Sequence, residues 1–279
     1  MRGTLFVVAT PIGNLEDITV RALRVLRDAA VIAAEDTRRT AQLLARHAIA
    51  TPTTSLHEHN EAAKTASLVA RLERGDHVAL VSDAGTPTVS DPGERLIRAA
   101  IQAGIRVEPI PGPSAVLAAL AASGLPSESF TFLGFPPTRS KDRKLWFARF
   151  RGSERTVVFF EAPHRIAETL RELRQIAGNC QVAAARELTK AHEEIIRGPL
   201  DSVIERLGNP RGEFTVVVEL GETTETKALA SVDLVHEFGE MTVITGLSRR
   251  KAIATLARRH GLAANSVYQA LEDAKKSPK

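Results

Sequence analysis

The sequence predicts an α/β protein of two domains, and three observations predict it. Short apolar runs of strand type alternate with segments of helical periodicity through most of the 279 residues. Three of the runs lead into turns rich in proline and glycine: Leu5–Ala9 into Thr10-Pro11-Ile12-Gly13-Asn14, Val78–Ser82 into Asp83-Ala84-Gly85-Thr86-Pro87, and Val107–Ile110 into Pro111-Gly112-Pro113-Ser114-Ala115. A break at Ser123-Gly124-Leu125-Pro126 separates this series from a second one. Loops that leave the carboxyl ends of strands form the ligand crevice of an open α/β sheet. Glycine lets main chain approach a ligand closely and proline holds a loop rigid. Together the three turns point to one pocket for a small polar ligand; each alone also reads as an ordinary strand-to-helix connector.

The elements follow in order. Leu5–Ala9 is a strand, and Ile18–Ala29 has helical spacing at Ile18, Ala22, Val25, Leu26 and Ala29. Val31–Ala34 is a short buried strand and Thr37–His47 a helix. Asn60–Arg74 reads as a helix with Asn60 as its cap. Strand Val78–Ser82, helix Gly93–Ala103, strand Val107–Ile110 and helix Ser114–Ala122, capped by Ser114, complete the first domain, residues 1–124. Such alternation gives a parallel sheet covered on both faces. A second α/β domain, 125–222, carries strands Phe130–Gly134, Thr156–Phe160, Val182–Ala185 and Phe214–Leu220. Its helices are a basic loop-and-helix segment to Phe150, Arg165–Ile176 and Ser202–Leu207. Gly221–Lys227 reads as a linker. A basic unit at 235–279 pairs helices Ser248–His260 and Asn265–Leu271, with Ile253, Leu256 and Ala257 spaced to meet Val267 and Leu271 as a helix-turn-helix.

Composition narrows the function classes. A content of 43% apolar residues supports buried cores, and no run approaches the length of a membrane span. One cysteine, Cys180, excludes an internal disulfide and a cysteine-based metal cluster. His57 and His59 have no second ligand cluster, so no metal site is expected. The start, Met1-Arg2-Gly3-Thr4, lacks a signal-peptide layout, and the cytoplasm is the expected location. The net charge of +4 is unevenly spread. Residues 245–279 hold eight Lys/Arg against Glu272 and Asp273, a net +6 that leaves −2 on the rest. Within that remainder, Pro136–Arg155 sets seven Lys/Arg against Asp142 and Glu154. Two basic patches on a near-neutral body suit a polyanionic partner, although each alone also reads as a solvated face.

Val81-Ser82-Asp83-Ala84-Gly85-Thr86-Pro87, Asp91-Pro92-Gly93, Pro109-Ile110-Pro111-Gly112-Pro113-Ser114 and Ala34-Glu35-Asp36-Thr37-Arg38 together resemble the tetrapyrrole-methylase-like superfamily of S-adenosylmethionine methyltransferases. Thr10-Pro11-Ile12-Gly13-Asn14-Leu15, His57-Glu58-His59-Asn60-Glu61 and Ala185-Arg186-Glu187-Leu188-Thr189-Lys190 resemble one branch of it. That branch methylates a cytidine ribose 2′-hydroxyl in the decoding region of 16S rRNA. The resemblance runs over about residues 4–220 and into the C-terminal unit. It implies a two-domain class III methyltransferase fold with a small C-terminal helical unit, a homodimer, and 16S rRNA or the 30S subunit as partner. It also implies S-adenosylmethionine in the interdomain cleft, lined by Pro11, Ser82, Asp83, Ala84, Gly85, Thr86, Val89, Ser114 and Ala115, with Phe160, Leu188, Gly212, Glu213 and Phe214 from the second domain. The branch lacks a GxGxxG fingerprint, as does this chain. Tetrapyrrole-modifying relatives carry a Gly-Pro-Gly-Asp turn after strand one; Thr10–Asn14 departs from it, which argues against a porphyrin substrate.

Methyl transfer from a sulfonium to a ribose hydroxyl needs in-line alignment and relief of the hydroxyl proton. Candidates for the acceptor side are Glu35 and Asp36, after the second strand, with Arg38 and Lys190, and also His57 and His59 in a loop. Each has a structural alternative. Asp36 can cap the following helix, Arg38 can pair with Glu35 or Asp36, the histidines can brace their loop, and Glu187 with Lys190 can form a structural pair at the domain interface. RNA contacts are expected at Arg139, Lys141, Arg143 and Lys144, and at Arg249, Arg250 and Lys251. Trp146 and Phe147 could stack a base, or lie in the core. Two rival functions stay open: a related methylase acting on a small molecule or protein residue, and a non-catalytic RNA-binding assembly factor.

Overall fold

The computed structural model describes residues 2–152, 155–208, 210–220, 234–244, 247–260 and 264–276. Five parallel strands form the first sheet: β1 (Thr4–Val8), β2 (Val31–Ala34), β3 (Thr53–Ser55), β4 (Val78–Val81) and β5 (Arg106–Ile110), in the order β3-β2-β4-β1-β5. Helices α1 (Val20–Asp28), α2 (Thr37–Arg46), α3 (Glu61–Glu73) and α4 (Glu94–Gln102) connect them. Side chains alternate across a strand, and the two cores separate accordingly. Ile32, Ala34, Ala79 and Val81 pack with Leu26 and Leu43 of α1 and α2. Their neighbours Val31, Ala33, Val78 and Leu80 pack with Leu72 and Leu96 of α3 and α4. The central strands are therefore apolar at every position, as a sheet covered on both faces requires.

Two details differ from the sequence expectation. Strand β3 is three residues of Thr and Ser, with no apolar run to mark it. Asn60 does not cap α3: its Oδ1 accepts the His57 N–H at 2.9 Å, which closes the turn before the helix. Glu61 has another task, with its carboxylate accepting the Arg95 and Leu96 N–H groups at the start of α4.

Helix α5 (Ala115–Ser123) follows β5 but serves the second sheet. Ser114 caps it through the Leu117 N–H, and Gly124 ends it in the left-handed conformation at φ 74°. Its apolar sequence has no polar face to give to water: Val116, Ala119 and Leu120 pack on Val158, Ala183, Ala185 and Val217. Those residues belong to β7 (Thr156–Glu161), β8 (Gln181–Arg186) and β10 (Phe214–Glu219). With β6 (Phe130–Phe132) and β9 (Glu194–Pro199) they form a sheet of order β6-β7-β10-β8-β9. Only β6 and β7 run parallel; the other pairings are antiparallel. Strand β9 was not expected, because Glu194-Ile195-Ile196-Arg197-Gly198-Pro199 mixes charge, glycine and proline. Helices α6 (Ser140–Ala148), α7 (Ile166–Ala177) and α8 (Leu200–Arg206) complete this lobe. Trp146 is buried edge-on against Phe159, and its indole N–H donates to the Leu133 carbonyl at 3.0 Å.

Residues Met1–Glu219, with both sheets, form one compact unit, and Leu220–Lys279 form another. In the second, α9 (Leu234–Gly239), α10 (Arg249–His260) and α11 (Ala264–Lys276) enclose Leu234, Ile253, Leu256, Val267 and Leu271. The expected linker 221–227 and the turn at 261–263 lie outside the described residues.

Candidate active site

The site begins with two loops at the carboxyl ends of neighbouring strands. Thr10, after β1, and Gly85, after β4, exchange main-chain hydrogen bonds of 2.8 and 3.0 Å. Gly85 holds φ 78°, which favours glycine. Ser82 is buried and bonds back to the carbonyls of Ala84 and Gly85, at 3.4 and 3.5 Å. The loop after β2 is tied in as well: the Asp83 N–H donates to Glu35, and the Asp36 N–H donates to Asp83. Arg39 of α2 reaches the Asp83 carboxylate at 3.3 Å.

These loops form one wall of a cleft of about 270 Å³, and the second lobe forms the other. Of the residues expected around a cofactor, Asp83, Ala84, Gly85, Thr86 and Val89 line it from one side, with Ser114 and Ala115. Phe160, Leu188, Glu213 and Phe214 line it from the other. Pro11, Ser82 and Gly212 are not in the lining. Pro11 is buried behind the first loop, and Ser82 braces the second. Gly212, at φ 71°, leaves room for the side chain of Glu187, which a Cβ there would strike.

The acceptor-side candidates divide. Glu35 and Lys190 line the cleft; Asp36 and Arg38 do not. Asp36 is the N-cap of α2, accepting the Arg38 N–H at 2.8 Å while its carboxylate grips the Arg38 guanidinium at 2.7 Å. Those bonds hold its carboxyl well below the usual range, so Asp36 is a cap rather than a proton acceptor. Lys190 pairs with Glu187 at 2.8 Å, and both line the cleft between the lobes. Neither His57 nor His59 lines the cleft.

Sequence reasoning left out Arg39, Asp91, Phe135 and Glu187 as lining residues. For Asp91 the signal was present in the Asp91-Pro92-Gly93 turn. Burial, then the charges of Glu35, Asp83 and Glu213, push its carboxyl up to about 6 against the pull of a Ser82 hydrogen bond. Burial also raises Glu35. Five carboxylates (Glu35, Asp83, Asp91, Glu187, Glu213) face two cations (Arg39, Lys190), so the cleft favours a cationic ligand.

The basic segment needs one correction. Arg139, Lys141 and Lys144 are exposed, whereas Arg143 is buried and cannot meet RNA. Its guanidinium bonds Glu172 and Thr169, each at 2.7 Å, and stands 3.9 Å from the fully buried Glu161. Trp146 and Phe147 are core. In the C-terminal unit Arg250 and Lys251 are exposed, while Arg249 is drawn to Glu272 and lies over the Tyr268 ring.

The fold and the cleft define the class: a two-lobed methylase whose ligand loops are built from main chain. The family model described as Tetrapyrrole (Corrin/Porphyrin) Methylases matches residues 4–204. Two solved uroporphyrin-III C-methyltransferases from Thermus thermophilus share the fold. One has TM-score 0.54 and 25% identity, covering 79% of this chain and 94% of that one. The other, complexed with S-adenyl homocysteine, has TM-score 0.55 and 18% identity, covering 77% and 97%. Proteins named Ribosomal RNA small subunit methyltransferase I are nearer. That of Halalkalibacterium halodurans is 43% identical, with 96% of this chain and 94% of its own covered. That of Pseudomonas aeruginosa is 44% identical, with 96% of each covered. The chain belongs to the tetrapyrrole methylase family and, within it, to the ribosomal RNA small subunit methyltransferase I group.

Proposed function

We propose that this chain transfers the methyl group of S-adenosylmethionine to the 2′-hydroxyl of a cytidine ribose in 16S rRNA. The observation that carries the reading is the 43% and 44% identity, over 96% of the chain, with relatives named for that RNA subunit. The cleft fits such a donor. Its loops bring Asp83, Ala84, Gly85, Thr86, Ser114 and Ala115 to the lining, and its excess of carboxylates suits a sulfonium and an ammonium. The donor supplies an activated methyl group. The protein's part is alignment, for which effective molarity contributes about 7–11 kcal/mol. As the carbon–oxygen bond forms and the carbon–sulfur bond breaks, the hydroxyl loses its proton. Asp91 and Glu35 are the carboxylates tuned to receive it, each with its affinity for a proton raised. The exposed cations of α6 and of the C-terminal unit hold RNA phosphates outside the acidic interior. On this reading the protein works in the cytoplasm as a homodimer, on free 16S rRNA or the 30S particle.

Mass mapping of 16S rRNA nucleosides, from cells with and without the gene, tests the proposal. One ribose-methylated cytidine should disappear with the gene and return when pure protein and donor act on the unmodified particle. An unchanged nucleoside map, or a gain on a base nitrogen, would overturn it.

A further inference from the structure

Building on that function, we propose that Phe135 is the shelf on which an unpaired RNA base stacks at the mouth of the cleft, turning its ribose inward. Phe135 is 46% exposed and lines the cleft, an unusual place to leave a large apolar ring. Its position is fixed on every side that packs. The carbonyl of Gly134 accepts the Phe160 N–H at 3.0 Å, and the ring meets Phe160 at 5.3 Å between centroids. Phe160 in turn packs edge-on to Phe132 at 5.0 Å. Pro136 and Pro137 restrict the chain beyond, and Arg165 donates to both of their carbonyls, at 2.6 and 3.3 Å. Arg165 is itself held 3.4 Å from buried Glu161, which also faces Arg143. The buried ion cluster thus anchors the loop that carries the ring.

The surroundings select the occupant. A Cβ built on Gly134 would lie 3.6 Å from Ser90 Oγ, so the loop closes on the 86–91 turn of the first lobe, where exposed Val89 also lines the cleft. Exposed Arg139, at the start of helix α6, and Lys141 and Lys144 on it follow within a few residues, none in an ion pair among the described residues. Phosphates therefore find cations outside the mouth and carboxylates inside it. A single-stranded nucleotide meets both conditions, with its backbone along α6 and its base on the ring. Bases splayed from single strands stack on aromatic side chains in this way.

The full chain with Phe135→Ala and with Phe135→Trp tests the shelf. We expect kcat/KM for the unmodified particle to fall about 10- to 100-fold in the alanine variant. Affinity for S-adenosyl homocysteine, by calorimetry, should stay within about twofold, as should the salt dependence of RNA binding, since stacking releases no counterions. Phe135→Trp should restore activity, and its emission should be quenched by oligocytidylate. A kcat/KM within twofold of wild type in the alanine variant would sink the shelf. Equal losses of donor affinity and activity would reassign the ring to the donor. If the unaltered protein methylates no RNA, the function falls as well; if only the Phe135 variants behave as wild type, the shelf alone does.

Discussion

Asp91 shares its cleft with Asp83, eight residues before it, and with Glu35 and Glu213, which lie far from it in sequence. Burial and those charges place its folded carboxyl at about 6, above the 3.8 of an unfolded chain. The folded state therefore binds the extra proton between about pH 4 and 6. Stability from this group is full below that window and is lost as pH rises through it. On the proposed role Asp91 accepts the proton only when ionised, so activity should rise with a midpoint near pH 6. Asp91→Asn should leave Tm at pH 7.5 at or above wild type while lowering kcat by about 10²-fold or more. A pH–rate profile with no limb near 6, or an Asn variant of full activity, contradicts this assignment. The residue-scale picture also shows which chemistry was legible in sequence. Gly85 and the prolines announce a backbone requirement through their own identity. The role of Asp36 turned on its bonds to Arg38, one of the alternatives its neighbours left open, and that of Asp91 on burial and on the charges of Glu35 and Glu213, which local sequence does not record.

At the scale of elements, the first sheet was readable because β2 and β4 are apolar at every position, β1 at all but Thr4, and an amphipathic helix follows each. The second sheet was less so. Strand direction is a property of pairing, and nothing in Phe214–Glu219 shows that it runs antiparallel to both β7 and β8. Helix α5 looked like a member of the first lobe by order along the chain, yet its apolar circumference packs on the second sheet. Arg143 stood among exposed cations in the sequence, but its place on α6 turns it to Glu161 and Glu172. The cluster it joins supports the 135–137 loop. Removing Glu161 strips Arg165 of its carboxylate partner and leaves Arg143 with Glu172 alone, at a cost of about 3–5 kcal/mol. Glu161→Leu should therefore shift the urea midpoint down with an unchanged slope, and lose RNA methylation before donor binding as urea is raised. A midpoint equal to wild type would show that the cluster does not anchor the loop.

The whole molecule combines an acidic cleft with basic surfaces, and on the proposed function the two serve different ligands. The C-terminal unit has its own core, centred on Leu256 and Val267. Changes to its surface should leave the chemistry alone and alter only RNA capture. Its cations are not equivalent. Arg249 is engaged with Glu272, and Arg259 pairs with Glu237 at 3.0 Å. Arg250 and Lys251 are exposed, with no ion pair among the described residues. Each phosphate contact contributes close to one unit of slope in log K against log salt, about 0.7 for single-stranded RNA. Arg250→Gln with Lys251→Gln should therefore weaken RNA binding at 50 mM salt, flatten the slope by about 1.4, and leave donor affinity unchanged. The double variant should also show a raised KM for the RNA substrate with kcat preserved, since binding lost equally from ground and transition states leaves the chemical step untouched. A slope identical to wild type would remove this face from the RNA path and leave α6 to hold the phosphates alone.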